Sequence, residues 1–302
     1  MSFALEFLSP GGIPPTFEQI EEWRLEIPHF EASTDRDGLR TWWYRNHDTG
    51  VYFVLSLYEV RPSDDDALGP CGLEASINHL RPSFFALEAA PILGSLAQCL
   101  GLVPSDGATG NPLQSPPGTQ ALCEEMITLW SHGNMVAMDE AMESGRKLHL
   151  LDPQSTRRWW EYSRRRQAIL QHLQDAKIQA EVPPVHFLKI PASGKVVTAM
   201  AWENDGACVF PPCDYVVLDR TIETRKFLRK VSERKVSYLS TELFMKQVAA
   251  ALRPVEVEGM SFRLLTAENA WRAAERIPNL PVEEDLSEFK PLRPDQIMDE
   301  EP

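Results

Sequence analysis

Phe3, Leu5 and Phe7 alternate with Ala4, Glu6 and Leu8 at the head of the chain, a period close to two that predicts a strand ended by Pro10-Gly11-Gly12. The period then changes. Thr16 stands at a helix-cap position, Gln19 follows three residues on as in a capping box, and Phe17, Ile20 and Trp23 share one face, so a short helix is expected. Aromatic and β-branched residues fill 39–45 and 51–58 on either side of Asn46-His47-Asp48-Thr49-Gly50, the pattern of a β-hairpin. Residues 73–80 add a strand. Pro82-Ser83 then opens a helix, with Ser83 as cap, Phe84, Leu87, Leu93, Leu96 and Leu100 as its apolar face, Pro91 as a kink point and Gly101 as its end.

Residues 102–120 hold several prolines and glycines and read as a linker or long loop. Helical spacing returns from Ala121 to Ser144, with Gly133-Asn134 as a break and Gly145 as the stop, and again from Pro153 to Lys177, where Trp159, Tyr162, Arg166, Ile169 and Leu173 line one stripe. Short strands are expected at 185–190, 195–202 and 215–218, helices at 239–252 and 267–276, and an extended run at 261–265. The fold class is therefore α+β: an antiparallel sheet covered by helices, followed by a helical pair and a second small sheet. In domain terms, 1–101 is an acidic α+β unit, 102–120 a linker, 121–277 the helical pair with a small α+β unit, and 278–302 an acidic, proline-containing tail, loosely attached.

The 302-residue length suits about two cores, and 43% hydrophobic with 25% charged residues is ordinary globular composition. Charge changes the picture more. The total of −14 is uneven: residues 1–119 hold 16 acids against 6 bases, 120–282 hold 20 against 22, and 283–302 hold 8 against 2. A strongly acidic first unit repels phosphate backbones and favours basic partners, which argues against nucleic-acid binding by the whole chain. No stretch is apolar enough to span a bilayer, so no membrane partner is expected. Glu6 follows the first apolar residues at once, against a secretory signal, and the five cysteines are an odd, scattered set; a cytoplasmic protein with reduced thiols is the expectation.

Chemistry-bearing motifs are sparse. Cys208 and Cys213, with His186 upstream, make half a zinc site whose other half is missing, and no cofactor is expected. No Gly-x-Ser-x-Gly elbow or phosphate-cradling loop occurs, and Cys213 beside Asp214 lacks an activating cation, so no catalytic residue is assigned. Asp64-Asp65-Asp66 reads as solvated loop charge. The densest feature is 157–166, with five arginines and three aromatics in one helical stretch. Arg157, Arg158, Trp160, Arg164 and Arg165 are its candidate interaction residues, because arginine and aromatic side chains dominate binding hot spots. The competing explanation puts Trp159 and Tyr162 in the core and pairs the arginines with acidic surface.

The blocks Trp43-Tyr44-Arg45-Asn46-His47-Asp48-Thr49-Gly50-Val51-Tyr52-Phe53 and Asn78-His79-Leu80-Arg81-Pro82-Ser83-Phe84-Phe85-Ala86-Leu87-Glu88 resemble those of a group of bacterial proteins without assigned function. In overall character, acidic and α+β without a catalytic signature, the chain is similar to immunity proteins of bacterial toxin systems. That resemblance implies a protein partner, a basic toxin domain bound by acidic surface on 1–119. Two alternatives stand beside it: an enzyme whose site assembles from scattered residues, and an RNA-binding protein acting through 157–166.

Overall fold

A computed structural model describes residues 2–31, 33–36, 39–61, 67–203, 206–226, 229–257, 259–276 and 289–300. The chain is an α+β protein built mainly of antiparallel sheets and helices. It divides into two compact units, Met1–Leu148 with Pro294–Asp299, and His149–Arg293 with Glu300–Pro302. The acidic cluster at 64–66 lies outside the described residues.

In the first unit, β1 (Ser2–Pro10), β2 (Thr34–Arg36), β3 (Leu39–Arg45), β4 (Tyr52–Leu57), β5 (Leu68–Asn78) and β6 (Val103–Asp106) form one antiparallel sheet in the order β2-β3-β4-β5-β1-β6. The alternation read from the sequence sets its inner face. Phe3, Leu5 and Phe7, Trp42 and Tyr44, Phe53 and Leu55, and Leu73, Ala75 and Ile77 are all buried. Residues 102–120 fall inside this unit, since β6 completes the sheet beside β1 and the division comes after Leu148.

Helix α1 (Phe17–Leu25) carries the expected capping box: Gln19 N–H donates to Thr16 Oγ1 at 3.2 Å and Thr16 N–H to Gln19 Oε1 at 2.8 Å. It packs through Phe17 on Trp42, with ring centroids 6.0 Å apart, and Trp42 Nε1 donates to Glu21 Oε1 at 2.6 Å. Helix α2 (Phe84–Leu100) closes at Gly101, whose φ of 64° suits the left-handed C-terminal turn and costs little for want of a Cβ. Ser83 does not cap α2. Its backbone is already helical, and its N–H donates to Asp299 Oδ2 at 2.8 Å.

Helix α3 (Gln120–Glu143) packs on α2 and runs unbroken through Gly133-Asn134. Tertiary contacts explain both residues. A Cβ at position 133 would lie 2.8 Å from the ring of His79, and buried Asn134 accepts from the N–H groups of Leu80 (2.6 Å) and Arg81 (3.3 Å) through Oδ1. Those donors follow from the turn at Leu80, whose φ is 58°. Burial pushes the His79 imidazole below its ordinary pKa, and its Nε2 has no hydrogen-bond partner among the described residues. Gly133→Ala is thus expected to destabilise the protein by about 1–3 kcal/mol through overpacking, although helix propensity alone favours alanine by about 1 kcal/mol. The sign of the change in urea unfolding decides between the two.

The second unit starts with β7 (His149–Leu151) and α4 (Pro153–Asp175). Its strands β8 (Val185–Lys189), β9 (Val196–Trp202), β10 (Cys208–Phe210), β11 (Tyr215–Lys226), β12 (Arg229–Ser240), β13 (Leu252–Val257), β14 (Met260–Leu265) and β15 (Lys290–Leu292) make two sheets, ordered β12-β11-β9-β8-β15 and β10-β14-β13. Only the β9–β11 neighbours run parallel there. The strand expected at 215–218 is one end of a long hairpin with β12, paired from Tyr215↔Ser240 to Lys226↔Arg229. The helix expected at 239–252 shortens to α5 (Thr241–Val248) because β12 extends to Ser240; α6 (Ala267–Arg276) falls where periodicity placed it.

The C-terminal stretch is not loosely attached over 289–300. Lys290–Leu292 pairs with β8. The last strand, β16 (Ile297–Asp299), buries Ile297 and Met298, and Pro294 packs on Gly50. Residues 277–288 lie outside the described residues.

Candidate functional site

The arginine and aromatic stretch lies on α4, which Asp152 caps by accepting the Ser155 N–H at 2.9 Å and Pro153 begins. Its aromatics belong to the core. Trp159 Nε1 donates to Val185 O at 2.8 Å, Tyr162 Oη donates to Pro183 O at 2.7 Å, and Trp160 is only 6% exposed. Trp160 therefore offers a partner almost no surface, contrary to its candidate role; its indole instead carries the Arg164 guanidinium at 4.6 Å.

The arginines divide by direction. Arg157 pairs with Glu161 at 3.2 Å, Arg166 Nε donates to Val182 O at 3.2 Å, and Arg165 Nη1 lies 3.4 Å from Met260 Sδ. Arg158 Nε donates to Gln154 O and its Nη2 to Ser155 Oγ, at 3.2 and 3.1 Å. The stretch is thus not one continuous basic strip. Of the five candidate residues, Arg158 also lines a cavity.

That cavity is a half-open cleft of about 280 Å³ within the second unit. Phe210, Pro211, Met245, Met260 and Phe262 give it apolar walls, while Arg158, Arg263, Ser155, Thr198, Thr241 and Asp214 bring polar groups to it. Asp214 is committed: its Oδ2 accepts from Thr198 N–H (2.7 Å) and Thr198 Oγ1 (2.9 Å). Cys213 also lines the cleft, but burial pushes its thiol up to about 11, away from a nucleophilic thiolate. Cys208 and Cys213 hydrogen-bond to Val209 O and Tyr215 O, and no three His, Cys, Asp or Glu side chains converge as a metal set among the described residues.

Thiol accessibility follows directly. Cys99 is exposed, whereas Cys71, Cys123 and Cys208 are buried and Cys213 is half-buried. A chromogenic disulfide reagent is expected to titrate one thiol rapidly in the native protein and the other four only on unfolding, with Cys99→Ser abolishing the fast phase.

A contrasting surface lies on the first unit. Helix α1 turns Ile20 and Trp23 inward, leaving Glu18, Glu22 and Leu25 on the opposite face, with Glu26 flanking them at the C-cap. Leu25 is 73% exposed, more than any other large apolar side chain among the described residues. Glu18, Glu22 and Glu26 are exposed and make no hydrogen bond or ion pair among those residues, whereas Glu21 binds Arg24 at 2.6 Å and Trp42. Sequence periodicity located α1 and its inner face, but the exposure of Leu25 on the outer face depends on the tertiary packing around the helix.

No protein-family model matches the chain, and no curated protein or solved structure matches it significantly. Among the described residues no helix is long and apolar enough to cross a membrane.

Proposed function

We propose that this chain is a protein-binding protein of immunity type, an inhibitor that holds a basic toxin domain of bacterial origin against the acidic surface of its first unit. The observation that carries this reading is the outer face of α1, where three glutamates whose carboxylates make no ion pair among the described residues stand around an exposed leucine. An exposed apolar side chain would lose water contact against a partner, and the surrounding negative charge selects a cationic partner while speeding its encounter. Two of the glutamates also stand at the C-terminal end of the helix, where a negative charge opposes the macrodipole. Their position is a cost to the fold that a binding surface would explain. Retention in the cytoplasm belongs to the same proposal.

Co-purification from the cells that make the protein tests it. A basic protein recovered at low salt and depleted at high salt is the expected result; recovery of no protein at either salt overturns the reading. Catalysis has less support, because the cleft in the second unit is half open and its thiol is driven away from reactivity. RNA binding through 157–166 has less as well, since its three aromatics are turned inward or covered: Trp159 and Tyr162 are buried, and Trp160 lies under Arg164.

A further inference from the structure

Two of the three charged side chains that line the second-unit cleft are positive. Arg158 and Arg263 reach it from α4 and β14, two elements distant in sequence. The Arg263 guanidinium makes no hydrogen bond or ion pair among the described residues, and Arg158 spends only Nε and Nη2 on its own helix, leaving Nη1. The only acid lining the cleft, Asp214, already accepts two hydrogen bonds from Thr198. Ser155, Thr241 and Ser261 add hydroxyls to the lining, and Phe210, Met245 and Phe262 supply apolar surface.

We infer that this cleft binds a small molecule bearing one carboxylate or phosphate group on an apolar body. Guanidinium forks match the oxygens of either anion in a bidentate way, and hydroxyls can donate to the remaining lone pairs. The apolar wall takes the body. A volume of about 280 Å³ admits a small ligand, at the lower end of the usual range of roughly 300–1,000 Å³. This site is independent of the α1 surface and holds whether or not a protein partner binds there.

Calorimetric titration of the full chain with phenyl phosphate, benzoate, inorganic phosphate and benzyl alcohol tests the inference. One of the two aryl anions is expected to bind at one site per chain, and which one does so identifies the head group. Inorganic phosphate, lacking the body, and benzyl alcohol, lacking the charge, should each bind at least tenfold more weakly. Arg158→Ala with Arg263→Ala should weaken the aryl anion tenfold or more at unchanged far-UV circular dichroism. Arg157→Ala, on the same helix but outside the cleft, should leave binding unchanged. Absence of binding by both aryl anions, or binding indifferent to the Arg158 and Arg263 substitutions, overturns the inference.

Discussion

Glu88→Ala is expected to destabilise the protein by about 3 kcal/mol or more, because it removes one acceptor from three buried donors. Tyr44 Oη, Asn46 Nδ2 and Thr49 Oγ1 all donate to Glu88 Oε1, at 2.8, 2.8 and 3.0 Å. All three donor residues are buried. Burial first, and the neighbouring Glu88 charge second, push the Tyr44 phenol well above its ordinary pKa, so it remains a donor throughout the working pH range. Glu88→Gln keeps an accepting oxygen and should cost less. Tyr44→Phe should cost about 1 kcal/mol in the native background and close to nothing beside Glu88→Ala, the non-additivity of groups sharing one partner. Urea unfolding of the four proteins measures the cycle, and a Glu88→Ala loss below about 1 kcal/mol would refute it.

This cluster also joins two sequence blocks, residues 43–53 and 78–88. Tyr44, Asn46 and Thr49 come from the first block and Glu88 from the second, and Tyr52 Oη of the first accepts from Arg81 Nη2 of the second at 2.6 Å. The blocks therefore form a structural clasp between the β3–β4 turn and α2.

Glu22→Lys with Glu26→Lys is expected to weaken partner binding about a hundredfold while leaving the protein as stable as before or more so. Glu18, Glu22 and Glu26 are spaced four apart on α1, so each neighbouring pair repels; reversing the charge converts the Glu18–22 pair to attraction, worth about 0.2–0.5 kcal/mol. A cation near the helix C-terminus adds about 0.3–1 kcal/mol through the macrodipole. Against a basic partner, two reversals should cost about 3 kcal/mol of binding, roughly a hundredfold in Kd. Opposite signs for stability and affinity are what a surface kept for binding predicts. Thermal unfolding and binding of the recovered partner, measured on the same preparation, read both; unchanged affinity would remove α1 from the interface.

Local chemistry made much of the fold legible. The capping box at Thr16, the hairpin around Asn46–Gly50 and the left-handed stop at Gly101 each depend on residues adjacent in sequence. Non-local compensation was not visible there. Gly133-Asn134 looked like a helix break because its reason, the His79 ring and the turn at Leu80, lies more than fifty residues away. The β11–β12 hairpin went unread because beyond Leu218 it is written largely in charged and hydroxyl residues, with no apolar alternation to mark it. Among candidate residues, Arg158 lines the cleft and Trp160 is buried. Composition singled out the α4 stretch but could not say which way each side chain turns.

The decisive measurement concerns what touches position 25. A photo-crosslinking residue in place of Leu25, irradiated in the cells that make the protein, is predicted to capture a protein of net positive charge. The same probe in place of exposed Gln171 on the second unit should not capture it. An adduct equally formed from both positions, or none from position 25, would contradict the assignment of the acidic α1 face as the partner surface.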